Sequence, residues 1–253
     1  MVMSITILHK GVYDTIQDNG RYGYQHLGIP PNGYLDYISA SLANTILGNP
    51  IHHPCIEVFF PALSIQFNHP YTICISGASF VPLINEHSVP MNEVIEVNAG
   101  DILSFLEPQK GTVCYIAIHA TFENQPWLGS FSESLSLLKN NETISLTPLE
   151  KTNSSIDHEE IQKLSSYVFE HDPIRFIPGP AWNDLEEQSI ETLLQSNFSI
   201  SLQSNRMGYP LIGPPLKNKR TQPYLSSGVT RGTIQLLPSG EMIILMSDHQ
   251  TIG

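Results

Sequence analysis

Most of the chain consists of short runs of β-branched and aromatic residues separated by turn residues. Runs of this length are typical of strands, and clusters of Gly, Pro, Asn and Asp mark the turns between them. Their close and regular spacing predicts a mainly β fold, either a barrel or a sandwich. The predicted strands are Ile5–Leu8, Cys55–Phe59, Ser64–Phe67, Tyr71–Ile75, Val94–Val97, Ile102–Phe105, Thr112–Ile118, Ile174–Ile177, Phe198–Leu202, Thr233–Leu237 and Met242–Met246.

Helical periodicity is confined to three segments. Apolar residues recur on one face of Leu35–Leu47, and Gly48 provides a stop signal. A second periodic segment is Asp157–Phe169. A third helix is predicted to begin at Asn183, because Glu186 follows three residues later, as in a capping box.

A polar stretch divides the chain. Leu135–Ser154 is rich in Ser, Thr and Asn, which predicts a connector without regular structure. A length of 253 residues suits one large β domain or two smaller ones. We predict an N-terminal β domain over residues 1–130, a connector with a helix over 131–172, and a C-terminal β domain over 173–253.

The charge balance excludes several classes of partner. The net charge is −12, with 12 Lys and Arg against 24 Asp and Glu, so we expect binding neither to nucleic acid nor to an anionic membrane. The N-terminus lacks the basic region of a secretory signal, and no apolar run is long enough to span a membrane. The three cysteines favour buried thiols in a reducing compartment. These features predict a cytoplasmic protein.

The most unusual segment is Thr15–Tyr37, which combines four glycines and a Pro-Pro pair with aromatic residues. A long irregular segment of this composition is functional more often than disordered. Its charged residues are Asp18, Arg21 and Asp36. Asp18 and Arg21 are candidates to pair with each other, and Asp36 lies where a helix dipole stabilises a carboxylate.

Two histidine-containing features have simpler interpretations. His52-His53-Pro54-Cys55 contains metal-ligand residue types, but adjacent residues rarely ligate one ion and no second pair lies at metal spacing. We therefore predict a loop that leads into a strand, and no metal site. His119 ends an apolar strand, where a structural histidine is more common than a catalytic one.

Two C-terminal segments offer further polar chemistry. Arg206 lies in a turn rich in Gly and Pro, where a rigid guanidinium is well placed to bind a carboxylate or a phosphate. An arginine that ties down its own loop is an equally good interpretation. Asp248–Thr251 follows the apolar run Met242–Met246, and polar residues at a strand end suit ligand contact.

The same segments carry a resemblance to a known family. The chain resembles the allophanate hydrolase subunit 2 family, whose members include the C subunit of 5-oxoprolinase, KipA-like regulators and the carboxyltransferase part of urea carboxylase. The motifs that match are T-I-Q-D-x-G-R-x-G-Y-Q-x-x-G-I-P-P-x-G-x-x-D at Thr15–Asp36, A-N-x-x-x-G-N at Ala43–Asn49, I-E at Ile56–Glu57, I-S-G-A at Ile75–Ala78, L-G-S at Leu128–Ser130, S-x-R-M-G-Y-x-L-x-G-P-P-L at Ser204–Leu216, G-x-I-Q-x-x-P-x-G at Gly232–Gly240 and I-L-M-x-D-x-Q-T at Ile244–Thr251.

The resemblance implies two cyclophilin-like β-barrel domains with a cleft between them. It implies the C subunit of an ATP-dependent 5-oxoprolinase, which opens 5-oxoproline to glutamate together with the A and B subunits, of which B is KipI-like. ATP would bind at or with the partner subunits, because the chain has no P-loop motif. One alternative is a biotin-dependent carboxyltransferase that acts on urea or a related amide. Another is a non-catalytic KipA-like regulator of a KipI-like partner.

Site residues follow from the matched motifs. Arg21 and Arg206 would stabilise a developing oxyanion from opposite walls of the cleft, and Arg21→Ala would then reduce turnover far more than folding. The implied catalytic set is Asp18, Arg21, Arg206, Asp248 and Gln250. The implied substrate-binding set is Gln17, Gly33, Asp36, Asn44, Glu57, Met207, Tyr209, Gln235 and Thr251.

This chain departs from the family pattern at three places. His119-Ala120 stands where relatives usually have a glycine pair, and His249 stands where they usually have arginine. Histidine lacks the permanently charged fork of arginine. Relatives also have a closing segment that supplies further strands, so we expect the second barrel to be incomplete at its C-terminal end.

Overall fold

The computed structural model describes residues 3–132, 136–150, 174–220, 222 and 224–253, and it is mainly β. The strands are β1 Met3–His9, β2 Thr15–Gln17, β3 Cys55–Phe59, β4 Ser64–Phe67, β5 Tyr71–Gly77, β6 Pro82–Ile84, β7 His87–Ser88, β8 Ile95–Val97, β9 Ile102–Phe105, β10 Val113–Ile118, β11 Ala120–Phe122, β12 Glu142–Pro148, β13 Ser199–Ile200, β14 Gly208–Ile212, β15 Ile234–Leu236 and β16 Met242–Leu245. The α-helices are α1 Tyr37–Leu47 and α2 Glu187–Gln195, and single 3₁₀ turns lie at Gln25–Leu27 and Trp182–Asp184.

The chain forms two compact units. The first unit contains residues 1–21 and 33–171, and the second contains residues 22–32 and 172–253. The unusual N-terminal segment is therefore divided, since its central part groups with the C-terminal residues. The domain boundaries placed at residues 130 and 173 stay a prediction.

In the first unit, two antiparallel sheets enclose the main core. Their strand orders are β11-β12-β1-β4-β9-β6-β7 and β2-β3-β10-β5-β8. Apolar side chains from both sheets form one buried cluster, in which Ile5, Phe67, Ile75 and Ile116 are 0% exposed. Burial of aliphatic and aromatic side chains at this density supplies the main stabilising free energy of such a unit.

Helix α1 covers the opposite face of the five-stranded sheet. Leu42 and Ile46 pack with Cys74 and Tyr115, which project from β5 and β10. The helix begins after Asp36, whose carboxylate accepts hydrogen bonds from the Ser39 N–H and hydroxyl. It ends at Gly48, which adopts a left-handed conformation and returns its N–H to the last turn. The predicted helix Leu35–Leu47 is thus confirmed with a start two residues later.

The second unit contains one four-stranded antiparallel sheet, in the order β13-β14-β16-β15. Strand β16 lies in its interior and pairs with β14 and β15. The turn Leu237–Gly240 joins β15 to β16 through the Gly240 N–H to Leu237 carbonyl bond. In the described residues this sheet is open, with β13 and β15 at its edges.

Several predicted elements need correction. The predicted connector contains β12, because Ile144 and Leu146 alternate into the core between polar residues on the other face. The run Ile174–Ile177 is not a strand, and both terminal isoleucines are at least 88% exposed. The capping-box prediction is wrong, because α2 begins at Glu187 and Glu186 occupies the N-cap without a side-chain bond. Strand β14 lies within a segment whose Gly and Pro content predicts a turn. The predicted helix Asp157–Phe169 lies outside the described residues.

Candidate functional site

The Asp18 carboxylate is the centre of a buried cluster in the first unit. It accepts hydrogen bonds from the Ser130 hydroxyl at 2.6 Å and the Ser132 hydroxyl at 2.7 Å. It also accepts the backbone N–H groups of Gly20 and Phe131, each at 2.7 Å. Asp18 is only 7% exposed, so these charge-assisted bonds replace its hydration. The carboxylate therefore ties the segment Ser130–Ser132 to the turn after β2.

Arg21 binds the same loop, at Trp127 and at Ser132. Its guanidinium donates to the carbonyls of Ser132 and Trp127, and it lies 4.6 Å from the centre of the Trp127 indole ring. Arg21 is 4% exposed, whereas Trp127 is 48% exposed. Both members of the candidate pair Asp18 and Arg21 are thus attached to one loop, and their direct pairing stays a prediction.

Gly33 and Gln17 complete the support of this turn. Gly33 has a φ of +97°, and an added Cβ would lie 2.9 Å from the Asn19 backbone, so only glycine fits this close approach. Gln17 is fully buried in β2 and donates to the Thr15 hydroxyl at 3.0 Å. This contact lies within β2, and the role of Gln17 in substrate binding stays a prediction.

A buried network fixes the start of α1. Glu57 is fully buried on β3 and accepts the Leu35 N–H at 2.8 Å and the Tyr115 hydroxyl at 2.6 Å. The Tyr115 hydroxyl in turn accepts the Asp36 N–H at 2.7 Å. Burial and the neighbouring Glu57 raise the pKa of Tyr115 well above its usual value, which keeps its proton in place. Glu57 therefore helps to fix the backbone at the start of α1, and its role in substrate binding stays a prediction.

The end of α1 is held by a second set of amide contacts. Asn44 donates to the His53 carbonyl at 2.7 Å, and Asn49 donates to the Ile118 carbonyl and the Asn44 side chain. The His119 ring bonds the Asn49 side chain at 2.7 Å. Asn44 is fully buried and holds the end of α1, and its role in substrate binding stays a prediction.

The residues considered as metal ligands have other roles. His53 bonds the Ala120 carbonyl at 3.0 Å, and burial lowers its pKa. Cys55 is buried, and burial raises the pKa of its thiol to about 12. Within the described residues, no group of three His, Cys, Asp or Glu side chains is arranged to hold a metal ion. No helix there is long and apolar enough to cross a membrane.

In the second unit, Arg206 and Asp248 form a buried ion pair. The guanidinium donates through Nε at 2.9 Å and through one terminal nitrogen at 3.0 Å to the two carboxylate oxygens. The side chains are 2% and 8% exposed, and the Asp248 N–H also bonds the Arg206 carbonyl at 2.8 Å. This bidentate geometry joins the turn before β14 to the segment after β16.

Gln250 follows Asp248 by two residues, and its side chain is bonded to that of Gln235. The Gln250 Nε2 donates to the Gln235 Oε1 at 3.0 Å. Gln235 projects from β15, and an added Cβ on Gly253 would lie 2.7 Å from its Nε2. The backbone of Gln250 is held by the buried His249 ring, whose Nδ1 donates to the Gln250 carbonyl at 2.6 Å. His249 therefore has a structural task that does not need a permanent charge.

The remaining predicted residues of the second unit are more exposed. Met207 is 56% exposed, while its carbonyl accepts the Met246 N–H at 3.0 Å. Tyr209 is half-buried on β14. The Thr251 carbonyl accepts the Val229 N–H at 3.2 Å. These side chains, with Gln235 and Gln250, are the candidate ligand contacts of this unit.

The predicted residues are thus divided between the two units. The first contains Gln17, Asp18, Arg21, Gly33, Asp36, Asn44 and Glu57, and the second contains Arg206, Met207, Tyr209, Gln235, Asp248, Gln250 and Thr251. Sequence reasoning missed the partners Tyr115, Trp127 and Ser132, although the L-G-S motif at Leu128–Ser130 marked their neighbourhood. The catalytic roles themselves stay predictions.

Comparison with known proteins supports the resemblance seen in the sequence. Residues 27–253 match the family model described as carboxyltransferase domain, subdomain A and B. The chain is 31% identical to the 5-oxoprolinase C subunit of Escherichia coli, over 98% of this chain and 81% of that protein. It is 29% identical to the urea amidolyase of Saccharomyces cerevisiae, over 86% of this chain and 13% of that protein.

A solved structure shows the same fold. The crystal structure of the K. lactis urea amidolyase matches 99% of this chain with a TM-score of 0.86 at 24% sequence identity. This chain spans 17% of the length of that structure. At this identity the match supports the fold and carries no statement about activity.

Proposed function

Because the chain belongs to the carboxyltransferase domain family of subdomains A and B, we propose that it is the C subunit of an ATP-dependent 5-oxoprolinase. In this proposal it opens 5-oxoproline to glutamate together with the A and B subunits of that enzyme, of which B is KipI-like. The observation that carries the proposal is the 31% identity to the 5-oxoprolinase C subunit of Escherichia coli, which extends over 81% of that protein. The match covers most of this relative but only 13% of the urea amidolyase of Saccharomyces cerevisiae, so the first relative is the better guide to function.

The geometry supports a rigid binding surface in each unit. Opening a lactam requires that the ring carbonyl be polarised and that charge on its oxygen be stabilised. Such stabilisation depends on donors that are already held in place before the substrate binds. The buried contacts of Asp18 with Ser130 and Ser132, and of Arg206 with Asp248, provide that rigidity.

The arginines act as supports in this proposal. Arg21 donates to backbone carbonyls and Arg206 to a carboxylate, and both are at most 4% exposed. They are therefore poorly placed to hold the phosphates of ATP, and we assign ATP to the assembly with the partner subunits. The groups that would contact substrate are the more exposed side chains beside them.

The test is reconstitution. The purified chain is mixed with its two partner subunits, ATP and 5-oxoproline, and glutamate release is measured. The Escherichia coli relative with its own partners serves as the positive control. Glutamate release that requires this chain supports the proposal, and stable assembly without release contradicts it in favour of a KipA-like regulator.

A carboxyltransferase for urea is the second candidate, favoured by the 29% identity to urea amidolyase of Saccharomyces cerevisiae over 86% of this chain. This reaction needs carboxybiotin from a separate carrier, since the chain lacks the Met-Lys pair of a carrier. The measurement is transfer of labelled carboxyl groups from free carboxybiotin to urea. Transfer to urea without glutamate release in the first assay would replace the first proposal with this one.

A further inference from the structure

The two glutamines of the second unit form an incomplete amide pair. Two primary amides that face each other can exchange two N–H to carbonyl bonds, because each carries donors and an acceptor. Gln235 and Gln250 make one such bond, from the Gln250 Nε2 to the Gln235 Oε1. Within the described residues the reciprocal bond is not formed. The pair therefore leaves the Nε2 donor of Gln235 and the Oε1 acceptor of Gln250 without a partner among those residues.

The remaining donor and acceptor define a ligand chemistry. A cis amide, as in a lactam ring or in urea, presents a carbonyl oxygen and an N–H group on the same edge. The Gln235 Nε2 can donate to that carbonyl while the Gln250 Oε1 accepts from that N–H. We propose that Gln235 and Gln250 together recognise the amide edge of a lactam. This deepens the proposed function, on which it rests, since 5-oxoproline is a lactam.

The surrounding contacts hold both amides in place. The Asp248 backbone is bonded to the Arg206 carbonyl, and the His249 Nδ1 donates to the Gln250 carbonyl. Gln235 lies in β15 opposite Ile243 of β16. Gln235 is held on a strand, and Gln250 lies in a segment whose backbone is hydrogen-bonded. Both side chains therefore lose little conformational entropy when a ligand binds.

Gly253 limits the position of the Gln235 amide. The Gly253 N–H and carbonyl both bond to Ser227, which fixes its backbone. A methyl group at this position would approach the Gln235 Nε2 to 2.7 Å. Because the obstructed atom is the end of a flexible side chain, Gly253→Ala should displace the amide and leave the fold intact.

The ligand series tests the proposal on the wild-type chain. Binding of 2-pyrrolidone, N-methyl-2-pyrrolidone and γ-butyrolactone is measured by calorimetry or ligand-observed NMR. The three probes share a five-membered ring and a carbonyl, but only 2-pyrrolidone has the N–H group. We expect 2-pyrrolidone and 5-oxoproline to bind about tenfold more tightly than the other two, since a hydrogen bond of this kind contributes about one decade in affinity. Equal binding of all three, or no binding of any, overturns the proposal.

Variants locate the effect on the two glutamines. Gln235→Glu replaces the free donor with an acceptor and should weaken 2-pyrrolidone binding about tenfold. Gln250→Ala should abolish the preference for 2-pyrrolidone over N-methyl-2-pyrrolidone, a ratio that does not depend on the fraction of folded protein. Gln203→Ala, at an exposed glutamine of the same unit, is the matched control and should bind as wild type. Unchanged discrimination in Gln250→Ala contradicts the proposal.

The two proposals fail in different ways. Lactam binding by this chain without glutamate release in the reconstituted assembly would retain the amide site and reject the 5-oxoprolinase proposal. Glutamate release with unchanged kinetics in Gln235→Glu and Gln250→Ala would retain the function and reject the amide site.

Discussion

The two compact units achieve rigidity by different means. The first unit has a large apolar core between two sheets and a second cluster under α1. Among the described residues, the buried apolar side chains of the second unit, apart from Pro31, are only Leu185, Leu216, Met242 and Leu245. That unit instead contains the buried Arg206–Asp248 pair and a set of backbone bonds between its loops. Apolar burial dominates one unit, and polar contacts are proportionally more important in the other.

This difference matters because polar and apolar contacts respond differently to change. Apolar burial is non-directional and tolerates small movements, whereas a buried ion pair is strongly destabilising when one partner is removed. Strand β15, which carries Gln235, and the polar segment after β16, which carries Gln250, are therefore held in a defined geometry with little apolar burial. A ligand site gains from that arrangement because its donors must be placed before binding.

The largest effect is expected from truncation of the first core. Phe67→Ala removes a fully buried ring between the sheets and should lower the free energy of unfolding by about 4 kcal/mol. Leu245→Ala in the second unit should cost about half as much, because fewer apolar neighbours surround the site. Denaturant unfolding, followed by hydrogen exchange for each unit, compares the two. Equal costs would show that the second unit has a core as extensive as the first.

The next largest effect is the loss of stability when either buried arginine is replaced, and this loss should differ between the two units. Arg206→Ala leaves Asp248 buried without its partner and should cost about 3 kcal/mol. Arg21→Ala removes a donor from two backbone carbonyls and should cost about 2 kcal/mol. Melting temperatures and unfolding by urea measure both. A stability of Arg21→Ala equal to wild type, together with loss of turnover, would favour the catalytic role that the sequence predicted.

The last effect concerns a buried carboxyl of the first unit and depends on pH. Asp14 is 2% exposed, and burial raises its pKa to about 7, although the Gly11 N–H donates to it. The unfolded chain releases this proton near the ordinary aspartate pKa of 3.8, and the folded chain retains it until about pH 7, so stability falls as pH rises through that window.

Asp14→Asn should remove that dependence. The variant is expected to match wild type at about pH 4 and to be more stable at about pH 8, by on the order of 2 kcal/mol. Thermal unfolding across this pH range is the measurement. Glu107→Gln, at an exposed carboxylate of the same unit, controls for the change in net charge. Parallel curves for wild type and Asp14→Asn would show that Asp14 does not cause the slope.

Local sequence signals predicted much of the first unit. Runs of β-branched and aromatic residues predicted strands such as Tyr71–Ile75 and Ile102–Phe105, and the apolar face and Gly48 predicted α1. These signals are reliable because side-chain burial follows the period of the element. Strand β12 was missed because Ser and Thr occupy its exposed face and conceal two buried positions.

Contacts that join distant positions were harder to predict. The sequence singled out Asp18 but did not indicate Ser132, which lies 114 residues further along the chain. Similarly, Glu57 was selected from a motif, whereas its partner Tyr115 appeared only as part of an apolar strand. The motif singled out Glu57 but did not show which residue it contacts. The pairing of β3 with β10 places Tyr115 opposite Glu57 and so identifies that partner.

The contact between Asp18 and Ser132 also has a consequence for the order of folding. It closes a segment of 114 residues that contains α1 and strands of both sheets of the first unit. Closing so long a segment of unfolded chain costs more conformational entropy than one hydrogen bond returns in free energy. The contact is therefore expected to form only after the intervening strands have paired and shortened the loop. The attachment is therefore expected to form after the rate-limiting step, and weakening it should accelerate unfolding while refolding keeps its speed. The contacts of Asp18 would then set the unfolding rate of the first unit, and so its lifetime in the folded state, without affecting how fast it folds.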